Sequence, residues 1–249
     1  MTIKNPQQVY FFGTCLVDLF YPEAGLAGMR LIEREGVRVI FPQDQSCCGQ
    51  PAWNSGYRDE ARAVAAAQLA LFPKEIPVVV PSASCAGMMK EHYPALFRGT
   101  SLEETANALS QRVIELTAFL VDVLEFRAED LGEPLKVAIH SSCSALREMQ
   151  VGDRIESLVS GLARVELVEQ AYKRECCGFG GTFSVKQPEI SGAMATDKAN
   201  SIRESDAEIL VSQDCGCLMN IAGVLEKQGH GPRCLHIAEF LWERTRADD

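Results

Sequence analysis

Ser46-Cys47-Cys48-Gly49-Gln50 and, 129 residues further on, Glu175-Cys176-Cys177-Gly178-Phe179 share a Cys-Cys-Gly core. The rest of the chain falls into register around this pair. Cys15 recurs as Cys143, 128 residues later. Val-Val-Pro-Ser-Ala-Ser-Cys at 79–85 recurs as Ile-Leu-Val-Ser-Gln-Asp-Cys at 209–215, an offset of 130. Three separate motifs at a nearly constant offset describe a duplicated unit, and two copies are too few for a solenoid. The breaker cluster Gly132-Glu133-Pro134 divides the copies. The expected repeats are residues 1–133 and 134–249.

Within each copy, short β-branched or aromatic runs alternate with helical patterns. Residues 9–12, 37–41 and 78–80 read as strands of the first copy, and 137–139, 165–168 and 208–211 as strands of the second. Helical patterns cover 58–71 and 190–202 between them, 102–124 at the end of the first copy and 235–244 at the end of the second. Strand–helix alternation implies right-handed parallel crossovers. The expected fold is therefore α/β, with two pseudo-symmetric halves, each a small, mainly parallel sheet flanked by helices. Each cysteine motif directly follows a strand. Parallel strands would deliver Cys15, Cys47, Cys48 and Cys85 to one carboxyl edge, and Cys143, Cys176, Cys177 and Cys215 to the other. That edge is where open α/β sheets bind ligands.

Composition narrows the function. The chain has 249 residues, 47% hydrophobic and 23% charged, which is ordinary globular usage. A net charge of −10 with no basic stripe argues against nucleic-acid binding. The first apolar run, 9–12, is too short for a signal sequence or a membrane span, so a cytoplasmic protein with reduced thiols is expected. Ten cysteines in such a compartment point to metal or redox chemistry. Buried cysteines acting as small hydrophobes would explain one or two positions, not eight matched between the copies.

The adjacent pairs bear on the kind of metal. Structural zinc gathers ligands spaced two to four residues apart, whereas neighbouring Cβ atoms diverge. Two irons of one cluster can take one thiolate each, and four thiolates suit a [4Fe–4S] cluster. Zinc remains the alternative cofactor, and a vicinal disulfide at either pair the redox alternative. Gly178-Phe179-Gly180-Gly181 is no dinucleotide fingerprint, because Phe183 stands where the third glycine belongs.

Two copies of Cys-x31/32-Cys-Cys-Gly with a later single cysteine resemble the cysteine-rich CCG domain family. That family includes the B subunit of heterodisulfide reductase and the iron–sulfur subunits of glycolate oxidase and anaerobic glycerol-3-phosphate dehydrogenase. The stretches 46–52 and 176–186, with His236-Ile237-Ala238-Glu239, are similar to members that serve L-lactate oxidation. The resemblance implies an electron-transfer subunit carrying one [4Fe–4S] cluster per repeat. It also implies two partners, a ferredoxin-like iron–sulfur protein and a third small subunit; the missing dinucleotide fingerprint predicts no lactate oxidation by the chain alone. The fuller family motif ends in Cys-x-x-Cys. Here Ser82 and Ser212 replace its first cysteine, leaving four thiols per site and arguing against disulfide-reductase chemistry. Cys217 and Cys234 have no partner in this register and read as core or spare thiols, with cluster ligand the lesser reading. His140, three residues before Cys143, reads equally as a donor to the site or as a satisfied core histidine. Arg147 and Arg174 read as surface arginines.

Overall fold

A computed structural model describes residues 6–247; the outermost residues of both expected repeats, 1–5 and 248–249, lie outside it. It contains two all-parallel sheets. The first has β1 (Gln8–Phe11), β2 (Arg38–Ile40), β3 (Val78–Val80) and β4 (Val113–Glu115), in the order β2-β1-β3-β4. The second has β5 (Leu135–His140), β6 (Val165–Leu167), β7 (Ile209–Ser212) and β8 (Arg233–His236), in the order β6-β5-β7-β8. The chain is α/β with two similar halves, and the six strands expected from sequence are present.

β4 and β8 were not expected. The 102–124 stretch reads as one helix because most of its residues favour helix. Instead the helix Glu103–Ser110 stops, and Val113, Ile114 and Glu115 pair in parallel with Val78, Val79 and Val80. The exposed edge of β3 offers backbone hydrogen bonds that outweigh three residues of helix propensity. β8 follows Gly229, Gly231 and Pro232, which end the preceding helix.

The helix after each fourth strand crosses to the opposite half. Ile237–Thr245 packs on Pro22–Arg34, and the segment Leu116–Ala118, continued by Phe119–Val123, packs on Gly152–Ser160. One core results: Phe11, Leu31, Phe119 and Leu120 of the first half join Val137, Ile155, Phe240 and Leu241 of the second, all fully buried. Burying each such side chain is worth roughly 1.5–3 kcal/mol. Arg34 fastens the exchange by donating from Nη1 to the carbonyl and hydroxyl oxygens of Thr245, both at 3.0 Å.

The strand ladders fix which residues correspond between halves. Val78 pairs with Tyr10 and Leu210 with Ala138, while Tyr10 and Ala138 are themselves 128 apart. The β3–β7 correspondence is therefore 132 residues, not 130. It matches Ser82 with Asp214 and Cys85 with Cys217; Cys215 corresponds to Ala83.

The ladders likewise match Glu115 with His236, two buried residues that cap the crossing helices. Glu115 Oε2 accepts from the backbone N–H groups of Thr117 (2.8 Å) and Ala118 (3.1 Å), while its Oε1 is buried without a partner. Burial pushes its pKa from 4.5 up to about 7. A raised carboxyl pKa favours folding at low pH, and the benefit disappears as pH rises from 4.5 through 7. Glu115→Gln keeps an acceptor for the cap. It is expected to leave stability unchanged at pH 4.5 and to raise it at pH 8 by about 2–3 kcal/mol, read by urea unfolding at both pH values.

Candidate metal centre

In the first half, the free thiols of Cys15, Cys47, Cys48 and Cys85 form a continuous string of neighbours: Cys15 lies against Cys47, Cys47 against Cys48, and Cys48 against Cys85. Local structure explains each placement. Cys15 opens the helix Cys15–Phe20 behind Thr14, whose hydroxyl accepts from the Val17 N–H at 3.3 Å. Cys85 lies three residues past Ser82, the cap of the helix Ala83–Gly87. Cys47 and Cys48 precede Gly49, whose φ of +90°, with the Ala61 carbonyl oxygen 3.1 Å from where a Cβ would stand, suits only glycine. That turn aims the Gly49 N–H at Cys47 Sγ, 3.4 Å away. Donors from Cys15, Cys48 and Gly49 hold the Cys47 thiol far below its usual range, and Cys15 and Cys48 are pushed up in return. These donors favour the thiolate form of Cys47, which is the state that binds metal.

The second half repeats the construction with one substitution. Cys143 lies against Cys176, Cys176 against Cys177, and Cys177 against Cys217, all as free thiols. Gly178, at φ +82° and with the Ser191 carbonyl oxygen 2.7 Å from where a Cβ would stand, sends its N–H to Cys176 Sγ at 3.4 Å. Cys217 lies three residues past Asp214, the cap of the helix Cys215–Lys227, just as Cys85 follows Ser82. Cys215, expected in this set, occupies the first turn of that helix, buried and outside the string. The signal that identifies Cys217 is the cap-to-cysteine spacing; the sequence match at offset 130 obscures it. Cys234 stands apart on β8, with burial raising its pKa to about 11.

Both sets line one cavity of about 450 Å³ between the facing sheet edges, walled also by Leu16, Pro51, Phe179 and Val185. The carbonyl of each second cysteine is pinned from outside: the Tyr93 hydroxyl donates to that of Cys48 (2.9 Å) and the Asn220 amide to that of Cys177 (2.7 Å). Asp214 ties the halves together. Its Oδ1 accepts from the Ser82 hydroxyl (2.6 Å), the Ser84 hydroxyl (2.7 Å) and the Ser84 N–H (3.1 Å). Ser82 is thus engaged with Asp214, and Ser212 Oγ accepts from the Asp214 N–H at 3.4 Å. Arg147 is exposed and close enough to Cys143 to favour its thiolate; Arg174 is exposed.

His140 tests what the second set would hold. It is 1% exposed, a ring nitrogen lies within 4.8 Å of the sulfurs of Cys177 and Cys217, and neither nitrogen has a hydrogen-bond partner among the described residues. Burial depresses its pKa to about 3, so the ring is neutral, with one N–H to donate. An unsatisfied donor inside a protein costs about 1–3 kcal/mol. A sulfur-rich group at Cys177 and Cys217 would satisfy it. With four thiols per half, this environment fits an iron–sulfur cluster.

A sequence profile of the cysteine-rich CCG domain matches residues 9–90 and 137–222. The chain is 45% identical to lactate utilization protein A of Geobacillus sp. (strain WCH70), over 95% of this chain and all of that protein. It is 46% identical to the protein of that name from Geobacillus thermodenitrificans, over 96% of this chain and all of that one. Among solved structures, a hypothetical protein from Helicobacter pylori shares the fold. It superposes with a TM-score of 0.67 at 11% identity, covering the whole of this chain and 51% of that one.

Proposed function

We propose, for a chain that belongs to the cysteine-rich CCG domain family, that it is the iron–sulfur electron-transfer subunit of a lactate-oxidising system. The observation that carries this reading is the pair of matched four-thiol strings facing one cavity. Cys15, Cys47, Cys48 and Cys85 hold one cluster, and Cys143, Cys176, Cys177 and Cys217 the other. We place the boundary between the two repeats at residue 133.

When bound, a [4Fe–4S] cluster accepts and releases one electron at a time. The chain's own groups do the remainder. The N–H groups of Gly49 and Gly178 donate to the sulfurs of Cys47 and Cys176, and a nitrogen of the neutral His140 ring lies within 4.8 Å of the Cys177 and Cys217 sulfurs. Leu16, Pro51, Phe179 and Val185 give the cavity apolar walls. Asp214 fixes the distance between the two ligand loops.

Lactate enters through the relatives, which are named for its utilization. Removing two electrons from a hydroxy acid commonly uses an organic hydride acceptor, and this sequence carries no dinucleotide fingerprint. We assign that step to the partners, a ferredoxin-like iron–sulfur protein and a third small subunit, acting in the cytoplasm. No helix among the described residues is long and apolar enough to cross a membrane.

Anaerobic reconstitution tests the reading. About eight iron and eight sulfide per chain are expected, with a cluster signal in electron paramagnetic resonance after reduction. Stoichiometric zinc in a colourless protein would overturn it. Mixed with L-lactate and an artificial acceptor, the loaded chain alone is expected to give no turnover, and its mixture with the partners to turn over. Equal rates in both would place the catalytic site on this chain.

A further inference from the structure

The two thiol sets match, but their surroundings do not. The CCG glycine backs onto the Ala61 carbonyl in the first half and the Ser191 carbonyl in the second, so the helices Arg58–Leu69 and Pro188–Glu204 correspond at an offset of 130. Seven residues further along each helix stand Gln68 and Lys198, 0% and 3% exposed. Gln68 is neutral and braces the cysteine loop, accepting from the Ser46 N–H (3.2 Å) and donating to its hydroxyl (2.7 Å). Lys198 donates to the Tyr172 carbonyl, four residues before Cys176, at 2.5 Å, and its neighbour Ala199 shares a buried cluster with Cys177, which brings the lysine within electrostatic reach of the second thiol set. At the end of the first strand of each sheet the pair is Phe12 and His140, both buried and matched at an offset of 128. The first set is thus enclosed by a phenyl ring and an amide, the second by an imidazole N–H donor and an ammonium.

Charges nearby do not reverse this contrast. Glu175, the acid next to Lys198, is exposed and screened by solvent. Asp214 lies between the sets, its carboxylate bonded to the Ser82–Ser84 loop of the first while its backbone holds the N-cap position of the Cys217 helix in the second.

Reduction adds a negative charge to a cluster, and cations or donors in a low-dielectric site stabilise that charge. We propose that Lys198, supported by His140, makes the second-half centre the higher-potential of the two, so that an electron received by the first-half centre comes to rest on the second. This rests on the reading that both sets hold clusters. In the transfer the first centre is oxidised by one electron and the second reduced by one; no bond forms or breaks, and the electron originates from a one-electron carrier protein. Lys198 acts here as a positioning residue for charge, not as a catalytic one.

The test is a potentiometric titration of the reconstituted full chain with dithionite, followed by electron paramagnetic resonance. Wild type is expected to show two one-electron waves, separated by at least tenfold in equilibrium constant, or 59 mV. Cys217→Ser is expected to remove the upper wave. Lys198→Gln is expected to lower the upper wave and leave the lower one in place, while Lys198→Arg retains both positions. The reciprocal Gln68→Lys is expected to raise the lower wave, and it keeps the test decisive if Lys198→Gln fails to fold. Iron and sulfide at both sites with a single wave, or with two waves that no Lys198 or Gln68 variant moves, overturns the inference and leaves the cluster reading standing. Wild type without iron and sulfide overturns both.

Discussion

Replacing Cys217 with serine is expected to remove about half of the iron and sulfide from the reconstituted chain, whereas Cys215→Ser is expected to leave both unchanged. The reason is position. Cys217 completes the contact string with Cys177, and the strand ladder matches it to Cys85. Cys215 is buried at the start of the same helix, at the position Ala83 holds in the first half. A hydroxyl there costs stability, about 1 kcal/mol for a buried group without a full partner, but removes no ligand. Iron and sulfide analysis of the two variants side by side separates the registers. Loss of iron in Cys215→Ser with retention in Cys217→Ser would restore the 130-residue match and discard the ladder-based one.

Asp214→Ala is expected to destabilise the fold by about 3–5 kcal/mol. Three hydrogen bonds reach one carboxylate oxygen from Ser82 and Ser84 of the opposite half. Bonds to a charged acceptor are each worth about 1.5–3 kcal/mol, and their sum is less than additive because they share that acceptor. Asp214 gives its own helix no side-chain cap; its carboxylate instead caps the helix Ala83–Gly87 across the interface. Urea unfolding of Asp214→Ala, Ser82→Ala and the double variant measures the coupling, expected at about 1–2 kcal/mol. Additive single effects would show that the two halves are held by the exchanged helices alone. Because those helices share one core with both sheets, wild type and variants are expected to unfold in a single transition.

Much of this protein is legible in one dimension. The paired Cys-Cys-Gly motifs, their offset and the alternation of β-branched runs with helical patterns fix a duplicated α/β chain. The reason is that parallel strands send the residues after them to one edge. From the same placement the sequence yields Cys15, Cys47, Cys48 and Cys85, and in the second half Cys143, Cys176 and Cys177. Three features depended on the tertiary structure. β4 and β8 exist because β3 and β7 present open edges, and local propensity does not contain that information. Cys217 joins the second set because the strand ladder shifts the last motif by two residues, placing Asp214 where Ser82 stands. In sequence the match Ser-x-x-Cys is closer than Asp-x-x-Cys, so similarity pointed to Cys215, whereas backbone hydrogen bonds set the register. Lys198 gained meaning last. A lysine inside an amphipathic helix reads as solvated, and only the packing of Pro188–Glu204 behind the Cys-Cys-Gly turn buries it within electrostatic reach of the second thiol set.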